Sequence, residues 1–145
     1  MILQLFIGGI MIGLTVCFHA LSLDLLIKNL KHIEGLIFGN LKSFRKALFF
    51  TFVVLCVAII LVVELWAWAM LYYGLGAFAT IEHSLYFSIE SFTTVGFGDA
   101  GLPQEWRLLG VIEATNGFLI FGWSTAFIFE IVSSVYKRES KDLSN

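Results

Sequence analysis

Three long stretches of the chain are almost free of charge, and the polar residues collect between them. Ile2 to Leu23 contains no Asp, Glu, Lys or Arg. A bilayer core needs roughly 20 apolar residues in a helix, so this run is long enough to span. It begins at Met1 without a basic region, exceeds a typical signal-peptide core and lacks an A-x-A cleavage site, so it reads as a retained transmembrane helix. Ala47 to Tyr73 is interrupted only by Glu64 and ends in an aromatic cluster of Trp66, Trp68, Tyr72 and Tyr73. Such rings favour the headgroup boundary. The run outreaches the hydrocarbon, which predicts a tilt or an emergence into the interface. The third stretch goes from Trp106 to about Val135, with Arg107 at one end and Glu113 as its only other charge before Glu130.

The pattern breaks between the second and third stretches. Gly74 and Gly76 end a helix, Thr80 is placed to cap a new one, and Glu82 lies near its positive end. IEHSLYFSIESF makes about three turns, too short to cross. TTVGFGD follows at 93–99, a segment that suits neither helix nor strand. A short helix and a glycine-rich segment between two spans predict a re-entrant loop. Irregular backbone at membrane depth is tolerated only when protein buries it or it lines water. Gly96 and Gly98 reach backbone angles closed to other residues, so alternate peptides can turn their carbonyls to one axis. The short helix aims its negative dipole end at the same place, which favours a dehydrated cation there and repels an anion.

Composition sharpens this. Apolar residues are 59% and charged ones 14% of 145 residues, against about 45–50% and about 25% in soluble domains. The class is an all-α membrane protein whose surroundings are the lipid bilayer. The net charge of −2 argues neither for nor against nucleic acid, and no nucleic-acid partner is expected. Lys28, Lys31, Lys42, Arg45 and Lys46 lie between the first two spans, and Lys137, Arg138 and Lys141 follow the third. The positive-inside rule makes both groups cytoplasmic, which puts the N-terminus outside and the C-terminus inside the plasma membrane. Leu36, Ile37, Phe38, Leu41 and Phe44 among these basic residues suggest that the linker rests on the inner surface. Cys17 and Cys56 read as small apolar fillers. No nucleophile–base pair, phosphate loop or dinucleotide fingerprint is visible, so no enzyme and no cofactor is expected.

TTVGFGD closely resembles the selectivity filter of potassium channels. The likeness continues from about Ala47 to Val135, which is similar to the outer helix, pore helix, filter and inner helix of the two-transmembrane pore module. It implies a pore module at 47–136, while the apolar and basic pattern adds an N-terminal helix at 1–27, absent from the minimal module, a basic linker at 28–46 and a tail at 137–145. Within the module the outer helix takes 47–73, the pore helix 80–92, the filter 93–99 and the inner helix 106–135. The resemblance implies K+ bound by the carbonyls of Thr94, Val95, Gly96 and Phe97, with the Thr94 hydroxyl adding the innermost site. Thr93, Gly98, Glu90, Asp99 and Tyr86 would support the filter. Phe97 replaces the commoner Tyr, losing a hydroxyl that could brace the loop. Gly117, in EATNG, falls near the usual gating glycine, and Gly122 is a second hinge candidate. One filter segment per chain implies a homotetramer. The alternatives are a non-selective cation channel of the same architecture and a non-conducting adaptor, against which the intact filter sequence argues.

Several polar residues raise further expectations. Glu90 and Asp99 are expected to share a proton behind the filter, with Tyr86 as a further donor. Glu64 and Glu113 are expected to make structural contacts near the outer interface with Arg107 or Trp rings. His19 suggests either a pH-sensing pair with Asp24 or, in preference, a bond to a neighbouring helix; His83 is the better exterior pH sensor. Asn116, Ser124 and Thr125 face either a water-filled cavity or their own helix neighbours. The first span has no row of arginines, so it is not a voltage sensor of the usual kind, and the tail is too short for a ligand-binding domain. The trigger is expected in the filter, the hinge glycines, lipid or tension, or a regulatory partner not identified by the sequence.

Overall fold

The computed structural model describes residues 1–37 and 43–142, with the side chains of 1–30, 44–137 and 139–140. Phe38, Leu41 and Lys42 of the expected surface linker lie outside the described residues, as do 143–145 of the expected tail. Four helices are formed, α1 (Ile2–Ile37), α2 (Ser43–Gly74), α3 (Ile81–Phe92) and α4 (Arg107–Asp142), with no strand among the described residues. Three of them, over Ile2–Leu30, Phe44–Gly74 and Arg107–Lys137, are long and apolar enough to cross a membrane. The fold is an all-α membrane architecture.

α1 continues to Ile37, past residue 27 where the first span was expected to end. No proline or glycine lies between residue 27 and Gly35, and Asp24 pairs with Lys28 one turn on, at 2.6 Å. A helix leaving the hydrocarbon has no reason to stop unless its sequence supplies one. α3 is capped as its residues dictate. The Thr80 side chain accepts from the His83 N–H at 3.2 Å, and Glu82 occupies the first turn.

α1 and α4 run parallel and α2 antiparallel to them. Gln4 accepts from the Leu108 N–H at 3.0 Å, and Gly8 lies against Ile112 further along both helices. At the opposite end Lys46 pairs with Glu139 and sits over the Tyr136 ring. The basic residues near 28, 46 and 137 therefore share one end of the molecule, and the 74–106 connection lies at the other. Two apolar clusters hold the helices together. One, with Leu23, Leu26, Leu30, Phe49, Val53, Val57 and Val135, ties the basic end. The other, with Trp68, Tyr72, Ala77, Phe92, Leu109 and Ile120, packs under α3. A band of buried polar side chains, Thr15, His19, Glu64, Asn116 and Ser124, lies between them.

Candidate ion-conduction site

α3 ends at Phe92, and Thr93 closes it by donating its amide to the Ile89 carbonyl at 3.0 Å and its hydroxyl to the same oxygen at 2.6 Å. Beyond it the backbone alternates in handedness. Thr94, Gly96 and Gly98 have φ of 59°, 54° and 82°, whereas Val95 and Phe97 stay on the negative side. In an extended strand successive carbonyls point to opposite sides. A chain alternating left- and right-handed residues can turn them to one side instead. The glycines supply two of the left-handed positions at no steric cost. Thr94 supplies the third against its preference, at about 1–2 kcal/mol, and is the only described non-glycine residue with positive φ. Nothing in the residue type announces that.

One side of the segment is held by α3. The Phe97 N–H donates to the Glu90 carboxylate at 3.1 Å, and the Gly96 N–H reaches the Glu90 carbonyl at 3.4 Å. Glu90 is buried. The Tyr86 hydroxyl donates to the Asp99 carboxylate, 3.1 and 3.2 Å from its two oxygens. Loss of water contact and the bond to Asp99 push the Tyr86 hydroxyl up to about 12, so it stays a donor at any physiological pH. Glu90 and Asp99 thus hold different donors, with no hydrogen bond between the two carboxylates. The other side of the segment touches nothing. Val95 and Phe97 are 57% and 75% exposed, and a Cβ on Gly96 or Gly98 would meet no atom within 4 Å.

α3 is seated on α4 through small residues. Ser91 donates to the Gly110 carbonyl at 2.7 Å. At Gly117 a Cβ would run into the Phe92 carbonyl oxygen, so α4 touches the end of α3 backbone to backbone. Gly117 is therefore a contact glycine. Gly122 has nothing near it and belongs to an exposed stripe, Val111, Thr115, Phe118, Gly122, Thr125 and Phe129, that runs along α4 at alternating steps of four and three. Thr125 bonds its own Phe121 carbonyl at 2.8 Å.

Glu64 and Glu113 are buried rather than interfacial, and their partners differ from those expected. Glu113 receives the Tyr72 hydroxyl at 2.6 Å and lies 2.5 Å from the Ser88 hydroxyl, beneath α3. Glu64 contacts His19 Nδ1 at 3.0 Å, and His19 Nε2 lies 3.3 Å from Ser124. His19 thus bonds neighbouring helices, while Asp24 pairs with Lys28. Asn116 donates to Thr15 at 2.9 Å, so Asn116 and Ser124 both face α1. His83 is exposed and stacks on Phe78, 6.4 Å between centroids.

A family model described as an ion channel matches residues 58–134, from within α2 through most of α4. No curated protein and no solved structure matches the chain.

Proposed function

The chain belongs to this ion channel family, the type built on two membrane helices and a re-entrant pore loop, and we propose that it is a potassium-selective channel assembled from four copies. The observation that carries this reading is the alternating handedness at Thr94, Gly96 and Gly98 on a segment braced on one side and bare on the other. Four such segments around an axis would present the carbonyls of Thr94, Val95, Gly96 and Phe97 as successive oxygen rings, which replace the hydration shell of K+. The Thr94 hydroxyl would form the innermost ring. The C-terminal ends of four α3 helices point their partial negative charge at the same axis and favour a cation below the rings. Glu90 and Asp99 tether the outer half of the loop through the Phe97 amide and Tyr86.

The exposed faces have a use in such an assembly. The bare side of 93–99 would face the axis, and the α4 stripe around Gly122 would line the inner pore or meet a neighbouring copy. With no atom near it, Gly122 is the hinge we assign, and Gly117 the anchor. The basic end would lie in the cytoplasm, with the N-terminus outside the plasma membrane.

The test is purified protein in planar bilayers under opposed potassium and sodium gradients. A reversal potential near the potassium equilibrium value is the expected result. A value near zero would make the chain a non-selective cation channel, and the absence of current under every condition would support the adaptor reading.

A further inference from the structure

The buried polar band contains an unfinished hydrogen bond, and a cavity opens beside it. Glu64 of α2 is 1% exposed and packed against His19 of α1. Its Oε1 meets His19 Nδ1 at 3.0 Å, but Oε2 has no partner among the described residues. Glu64 also forms part of the wall of a cavity of about 340 Å³ between α1 and α2, with Met11, Leu14, Thr15, Phe18, Val63 and Ala67. Apart from Thr15 and Glu64 the wall is apolar. Leu14, Phe18 and Val63 are each at least 40% exposed in the single chain, so the cavity opens towards the lipid side.

Donor counting restricts what fits there. The Thr15 hydroxyl is already used, since it donates to the Met11 or Ile12 carbonyl and accepts from Asn116. The remaining polar valence is the second carboxylate oxygen. Among the described residues His19 is the titratable group that faces Glu64, and α4 contributes the neutral Ser124. With a neutral imidazole, an ionised Glu64 carries an uncompensated charge, and a protonated one can donate its Oε1–H to Nδ1 of the Nε2–H tautomer but leaves Oε2 an acceptor without a donor. With an imidazolium the charges balance, yet Oε2 still lacks a donor. Leaving a buried polar atom in any of these states is costly.

We propose that this cavity is a binding site for a lipophilic amine, whose nitrogen pairs with Glu64 and whose apolar body fills the space between α1 and α2. The neutral amine is the form that dissolves in the bilayer. On arrival it takes the Glu64 carboxyl proton, and the resulting ammonium donates to Oε2, so one proton moves and an ion pair forms. An alcohol supplies a donor but no charge, and a carboxylate is repelled. Depth excludes a phospholipid headgroup. Glu64 lies ten residues below Gly74 in α2, about 15 Å along the axis, which is about half the thickness of the hydrocarbon core. Because Glu64 Oε1 holds His19 and His19 holds Ser124 of α4, the amine would sit three hydrogen bonds from α4. The site does not depend on ion selectivity.

Labelling of the full chain in lipid nanodiscs with an alkylamine bearing a diazirine tests this without recording currents. The expected result is cross-linking confined to peptides containing residues 11–18 and 63–67. Decylamine should compete at least tenfold better than decanol, and decanoate should not compete. Glu64→Gln should cut the apparent affinity at least tenfold, and Ala67→Phe, which fills the cavity without touching the carboxylate, should abolish labelling while the thermal melt is retained. Equal competition by decylamine and decanol, labelling spread over the whole lipid face, or labelling unchanged in both variants would overturn the proposal and leave a crevice filled by lipid tails.

Discussion

Ser88 has one hydroxyl proton and two acceptors within reach, the Leu65 carbonyl at 3.0 Å and Glu113 at 2.5 Å. The count closes when Ser88 donates to Leu65, the Glu113 carboxyl donates to Ser88, and Tyr72 donates to the other carboxyl oxygen. Every proton then has one acceptor, and no charge is left under α3. Glutamine can imitate this arrangement and alanine cannot. Glu113→Gln should therefore melt near the parent protein, whereas Glu113→Ala should lose about 1–3 kcal/mol for each buried group left unpaired, read from thermal denaturation in detergent. The outer loop has a comparable pair of holds. Tyr86→Phe removes the Asp99 tether alone and Glu90→Ala the Phe97 tether alone. Each should speed the decay of potassium current in bilayers, and the double variant should be worse than either. Because the Tyr86 hydroxyl titrates at about 12, the neutral donor persists below that value and its contact is lost only as pH rises through it. The Tyr86 contribution to this decay should consequently be flat from pH 5 to pH 9.

At the scale of elements, the seat of α3 on α4 separates the two hinge candidates. Gly117→Ala drives a methyl group into the Phe92 carbonyl and should cost about 1–3 kcal/mol or prevent assembly, seen by size-exclusion chromatography. Gly122→Ala meets no atom and should raise helix stability by up to about 1 kcal/mol, while lowering open probability if the helix bends there. α1 attaches to α4 through Gln4, Gly8, Thr15 and His19, which occupy one helical face at steps of four, seven and four. A double-mutant cycle with Thr15→Val and Asn116→Leu should return a coupling of about 0.6 kcal/mol, the scale of single hydrogen bonds between membrane helices. These elements differ in how far the sequence displays them. The three spans, the Thr80 cap and the irregular 93–99 segment rest on local chemistry and are legible in order along the chain. The partners of Glu64 and Glu113 are not, because they lie 45 and 41 residues away in sequence and depend on how the helices rotate. The left-handed Thr94 is hidden for another reason. Threonine disfavours that conformation, and only the tertiary setting imposes it.

For the whole molecule, apolar clusters at both ends provide cohesion and the polar band between them fixes how the helices are rotated against one another. The faces left uncovered, along the α4 stripe and the bare side of 93–99, are those a fourfold assembly would close. Mass photometry of the protein in nanodiscs should show a particle of four chains. The contact of Gly117 with Phe92 has a mechanical consequence for such an assembly. A helix is a nearly rigid rod, and this one is pinned where no side chain cushions the contact. From that point α4 reaches about 28 Å towards Tyr136 and about 15 Å back to Arg107. It is a lever with its fulcrum at the C-terminal end of α3 and arms in a ratio near two to one. A sideways swing of the long arm is therefore roughly halved at the short one, and the reaction force falls on the last turn of α3, the turn from which the Thr94 loop departs.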